Sequence, residues 1–152
     1  MKFIIFLITL ISFLNAEQYT FLLNKYDKEL ELESQIILNI ANASIKNDIK
    51  LFIPEISDME KGVYSKNFTL TNNCVDANFI FVKREVNLNF YCKNYENKIF
   101  FTNNYEKLLN DNRYIGAFFW NKSRPNITFI KARLEKEKIK LSKDYDKFVE
   151  DF

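Results

Sequence analysis

The sequence predicts an α/β fold: a single compact domain with a mixed sheet of about five strands, a long N-terminal helix and short C-terminal helices. Three observations predict it. A helical stripe occupies residues 23–43, short apolar runs recur through the middle of the chain, and amphipathic segments return near its end.

The stripe comes first. Leu23, Tyr26, Leu30, Ile37 and Ile40 fall at three- and four-residue steps, and Leu32, Ile36 and Ala43 widen it. Lys25, Lys28, Glu29, Glu31 and Glu33 fill much of the rest, so the three glutamates read as a solvated face. Residues two apart on a helix do not face each other, which excludes these carboxylates as a catalytic pair.

Ile49–Ile53 reads as an apolar strand that Pro54 ends. Glu55–Met59 predicts a brief helical turn before Gly62, and Phe68–Leu70 an edge strand. Asn78–Val82 is mostly apolar, as in a central strand covered on both faces. Val86–Tyr91 alternates with a period of two and predicts a half-exposed strand. Lys98–Thr102 predicts another buried strand, and Asn103-Asn104 a cap for a short helix over Tyr105–Leu109. Ile115–Trp120 and Asn126–Ile130 are strands joined by the turn Asn121–Arg124, with Pro125 a stiff entry into the second. Ala132–Lys138 predicts a helical turn or two. Ser142 is placed to cap a last helix, Lys143–Glu150, with Tyr145, Phe148 and Val149 facing inward.

Ahead of the domain, Met1–Ala16 has a single basic residue, Lys2, followed by an almost wholly apolar stretch. That layout predicts a secretory signal peptide over residues 1–16 and one domain over 17–152. Leu14 is bulkier than the residue preferred three positions before the cut, so a retained anchor is the rival reading. The apolar core is short for an ordinary spanning helix.

Composition narrows function. The chain of 152 residues carries a net charge of +2 with both signs interspersed, which gives no sign of a nucleic-acid partner. It has no histidine, so Ser-His and Cys-His catalysis are excluded, and a metal site would need carboxylates. Its two glycines, Gly62 and Gly116, sit in no phosphate-binding motif, and no cofactor is expected. Asn-X-Ser/Thr triplets at Asn42, Asn67, Asn121 and Asn126 are expected by chance in so Asn-rich a chain. Cys74 and Cys92 are the only cysteines. In an exported protein such a pair reads as a structural disulfide worth roughly 3 kcal/mol, with buried thiols or an intermolecular link as alternatives.

Few polar groups remain as candidates. Asp76 precedes a strand and has no evident catalytic companion, so it reads as a turn residue. Arg133, Glu135, Lys136, Glu137 and Lys138 read as an exposed charged face. Trp120, Lys122 and Arg124 cluster at the hairpin turn. Trp and Arg are frequent interface anchors, so these three form a candidate contact patch. The alternative is structural: Trp120 packs over the sheet and Arg124 pairs with a glutamate.

The second half of the chain resembles the YfiR-like family of small periplasmic proteins. The likeness lies in Cys74 before the apolar run ending at Val82, and in Ile99–Thr102 leading into Tyr105–Leu109. It continues through the hairpin Ile115–Ile130 and the segment Lys138–Ser142 before a last helix. It departs at Tyr114-Ile115-Gly116, where the family has a glycine pair, and at Ser123, where glycine is easier. The resemblance implies an exported, non-catalytic regulator that restrains an inner-membrane signalling protein, such as a diguanylate cyclase, by protein–protein contact. It implies a membrane protein with a periplasmic domain as partner, and admits a homodimer. Cys74 and Cys92 would be the stabilising bridge, and Trp120 and Arg124 part of the contact surface. A periplasmic small-ligand protein is the alternative, with a shallow pocket at the ends of Asn78–Val82 and Lys98–Thr102 and Arg124 gripping an anion.

Overall fold

A computed structural model describes residues 26–151. The expected signal segment, residues 1–16, and Leu23 of the helical stripe lie outside the described residues.

The described chain opens with helix α1, residues 26–44, in which Leu30, Ile37, Ile40 and Ala41 are buried. Strand β1, Lys50–Phe52, follows and stops short of Pro54. The helix expected as a brief turn is longer. Helix α2, Asp58–Tyr64, runs through Gly62. Ser57 and Glu60 close a reciprocal capping box, which satisfies the first-turn N–H groups and outweighs the cost of a helical glycine. The edge strand β2, Thr69–Leu70, and the fully buried strand β3, Phe79–Val82, come next.

Val86–Tyr91 is not a strand. Asn87 accepts a hydrogen bond from the Asn89 N–H and starts a four-residue helix, α3, Leu88–Tyr91. Only Leu88 of that helix is buried, while Phe90 is 79% exposed. Three alternating apolar residues were too short a pattern to separate the two periods, and the capping asparagine decided the outcome.

Strand β4, Ile99–Thr102, leads to helix α4, Tyr105–Asn110, whose cap Asn104 accepts from the Lys107 N–H. The hairpin is β5, Tyr114–Asn121, and β6, Arg124–Ile130. Helix α5, Lys131–Lys136, follows. Its Arg133 is half-buried and not part of an exposed charged face. Its Nη1 donates to the carbonyls of Leu108, Asp111 and Tyr114 at 2.7, 3.0 and 2.7 Å, tying down the end of α4. The last expected helix is a 3-10 helix, Lys143–Phe148, without a side-chain cap from Ser142. Val149 leaves it for strand β7, Val149–Glu150.

The seven strands form one mixed sheet in the order β2-β1-β3-β4-β5-β6-β7. The two shortest, β2 and β7, form its edges. Pairing is parallel from β2 to β5, antiparallel between β5 and β6, and parallel again between β6 and β7. Both faces are covered, which is why β3 reads as continuous apolar sequence. Phe79 and Phe81 join α1, α2, Phe101, Phe118 and Phe129 on one face. Ile80 and Val82 join Phe100, Leu88 and Leu108 on the other. A bulge between Phe100 and Phe101 shifts the register of β5, and Gly116 sits where the packing is tightest. A Cβ at Gly116 would stand 2.5 Å from Phe101 Cε2 and 2.6 Å from the Thr128 carbonyl oxygen.

Cys74 and Cys92 are bonded and both are buried. The bridge ties the loop before β3 to the end of α3 and so staples the second face. It is compatible with an oxidising, exported location. Among the described residues, no helix is long and apolar enough to cross a membrane.

Candidate binding face at the C-terminal ends of the strands

The strand order sets where a site can form. After β1 the chain passes through α2 on the first face to β2. After β3 it passes through α3 on the opposite face to β4. Connections that part in this way leave a crevice beyond the carboxyl ends of the strands, the usual ligand position in open α/β sheets.

A cleft of about 290 Å³ occurs there. Lys83 and Arg84 enter it from the end of β3, Asn103 from the end of β4, and Trp120 from β5. Glu29 and Glu33 of α1 and Glu60 of α2 form the other wall, with Tyr26 at the rim.

Its floor is a buried ion network. Lys83 Nζ pairs with Glu33 and, at 2.9 Å, with Glu60 Oε1. Arg84 Nη2 reaches Glu60 Oε2 at 2.8 Å. The Tyr64 hydroxyl donates to Glu33 Oε1 at 2.7 Å, and Lys83 lies 5.5 Å from the centre of the Tyr64 ring. Burial pushes the Glu60 carboxyl up, but Lys83, the Ser57 N–H and Arg84 outweigh it and hold the group at about 2. Burial and the neighbouring Glu33 push the Tyr64 hydroxyl above the usual phenol range. Two carboxylates and two cations therefore balance. One polar atom is left over: Arg84 Nη1 is buried and has no hydrogen-bond partner among the described residues.

Glu33 corrects the reading of the α1 glutamates as one solvated face. It is 6% exposed, while Glu31 stands outside. The signal was present. Glu33 continues the run Leu30, Ile37, Ile40 at helical spacing, and a charge on an apolar stripe calls for a buried partner. Lys83, fifty residues further on, could not be matched to it from sequence.

The contact patch divides. Trp120 is half-buried, packs edge-on against Phe118 with ring centres 5.7 Å apart, and lines the cleft. Lys122 and Arg124 are exposed. Lys122 and Ser123 form the two-residue turn with φ of 48° and 62°, the primed geometry that matches the twist of a hairpin. No ion pair holds Arg124 among the described residues. Arg124 is also not a lining residue of the cleft, where Arg84 stands instead. Asp76 lies at the opposite end of β3 and closes a turn with Asn73, whose Nδ2 donates to Asp76 Oδ2 at 2.9 Å. No group of three or more Cys, Asp or Glu placed to hold a metal occurs among the described residues.

No family model, curated protein or solved structure matches the chain.

Proposed function

We propose that this protein is an exported, non-catalytic binding module that restrains a membrane-bound signalling protein by contact with that protein's periplasmic part. The observation that carries the reading is the hairpin end. Half-buried Trp120 sits beside the exposed cations Lys122 and Arg124, at a turn whose backbone conformation holds them outward. Glu33 and Glu60, which line the cleft with Trp120, are committed to Lys83 and Arg84. With Glu60 held at about 2, it is too weak a base for proton transfer near neutral pH. The likeness in layout to the YfiR-like family supports the same reading, as does the buried disulfide.

Crosslinking in intact cells, followed by recovery of the tagged protein from the envelope, tests this. Wild type is expected to bring down a membrane protein, and Lys122→Glu with Arg124→Glu to lose it. Recovery of no membrane protein by wild type would overturn the proposal.

A second reading is favoured by the cleft itself, which opens at the ends of β3 and β4. It is a small-ligand site in which Arg84, in place of Arg124, meets an anion. Calorimetric titration with inorganic phosphate and with acetate tests it, and no heat at millimolar concentration would sink it.

A further inference from the structure

The hairpin outruns the sheet that supports it. Pairing of β4 with β5 ends at Thr102↔Ala117, and pairing of β6 with β7 begins only at Phe129. Beyond these points, among the described residues, β5 and β6 pair only with each other, as far as Asn121↔Arg124. This two-stranded ribbon has two edges, and they differ.

The alternation of an antiparallel ladder fixes which backbone groups face outward. Pro125 has no N–H and lies opposite Trp120, so this is a pair without mutual hydrogen bonds. Both residues therefore turn their backbone groups away from each other. On the β6 side, proline removes the donor, a common device for blunting an exposed edge. On the β5 side nothing equivalent is present: the Trp120 N–H and C=O face outward past the end of β4. They border the cleft that Asn103 and Trp120 line together.

We propose that the β5 edge at Phe118–Asn121 is a strand-addition site for an extended, acidic segment of the partner protein. The proposal rests on the contact function above and specifies its mode. Main-chain pairing with Trp120 supplies the attachment, and an apolar partner side chain lies on the indole. The chemistry of the segment follows from charge. Lys122 and Arg124 stand at the far end of this edge, with no acidic residue between Phe118 and Thr128, and across the cleft Glu33 and Glu60 are already paired with Lys83 and Arg84. That same charge opposes a second copy of this chain aligned on the edge with its own basic turn alongside.

Two variants separate main-chain from side-chain contact. Trp120→Ala and Trp120→Pro both remove the indole, but only proline removes the outward N–H, and that N–H serves no bond inside the hairpin. Envelope capture should fall about tenfold for Trp120→Ala and to background for Trp120→Pro. Both should keep the disulfide and a cooperative thermal transition. If the two variants capture equally while Lys122→Glu with Arg124→Glu abolishes capture, strand addition fails and the contact function stands. If wild type captures nothing, the contact function itself fails.

A direct probe uses the exported protein with an acetylated octapeptide of alternating Glu and Val. Amide exchange at Trp120 should slow about tenfold at millimolar peptide, and the alternating Lys-Val peptide should have no effect. Unchanged amide exchange with the Glu-Val peptide overturns the proposal, as does equal slowing by the Lys-Val peptide. So does protection that rises with protein concentration alone, which would assign the edge to a second copy.

Discussion

The buried network beneath α1 and the hairpin turn use nearly the same residue types with opposite results. In the network, every charge has a partner: Lys83 serves Glu33 and Glu60, and Arg84 serves Glu60. At the turn, Lys122 and Arg124 face solvent, within one strand of the same cleft. Burial makes the first set structural, because an unpaired charge there is too costly to leave available. Exposure leaves the second set free of that constraint. Charge near a cleft is thus a poor guide to function until its burial and pairing are known.

Removing the shared cation should have the largest effect. Lys83→Met leaves two buried carboxylates facing each other and is expected to destabilise by roughly 3–5 kcal/mol, measured by urea unfolding. Adding Glu33→Gln, which removes one of the two buried charges and still accepts from the Tyr64 hydroxyl, should recover part of that loss. If the single variant costs no more than a surface substitution, the network does not hold the fold together.

Loss of the disulfide comes next. Cys74→Ser with Cys92→Ser should cost about 3 kcal/mol, since both sulfurs are buried and the bridge closes 18 residues of chain. Thermal unfolding with and without reductant checks it. Gly116→Ala, at the root of the hairpin, should cost roughly 1–3 kcal/mol. Its Cβ would meet the Thr128 carbonyl oxygen at 2.6 Å, and backbone cannot move aside as a side-chain end can.

Acid provides a graded test. The Glu60 carboxyl is lowered from 4.5 to about 2 on folding, so its stabilisation is fully present above about pH 4.5. It is lost as pH falls towards 2 and amounts to no more than roughly 3 kcal/mol. Denaturant midpoints between pH 5 and pH 2 should fall for wild type, and fall less for Glu60→Gln. The smallest expected effect is at the turn. Lys122→Glu with Arg124→Glu should change stability by less than about 0.5 kcal/mol, even as it removes partner capture. A larger loss of stability would erase the contrast between the two regions.

Much of the fold could be read locally. Asn104 as a cap, Pro54 as a strand stop and the apolar run at β3 each act over a few residues, and each is found where local chemistry puts it. Local reading failed where two elements were close in energy. Residues 88–91 form a helix because of Asn87, and Val149 is in a strand because β6 offers an edge to pair with. The site was less legible. Trp120, Lys122 and Arg124 could be singled out because a turn displays its residues whatever the rest of the chain does. Arg84 and Asn103 could not, because nothing local to them marks the place where two connections part across the sheet.

The sequence by itself determined the α/β class, the hairpin and its turn, and the absence of histidine chemistry, and it narrowed the two cysteines to a small set of alternatives of which the structure chose the bridge. Each depends on composition, on short periodicities or on the lack of any other candidate. Only the tertiary structure decided that Glu33, Glu60, Lys83 and Arg84 share one buried network, and that the hairpin runs on past the end of β4 among the described residues. Both are matters of which distant segments lie side by side, and that is settled by the packing of α1 and α2 on the sheet and by where β4 ends and β7 begins.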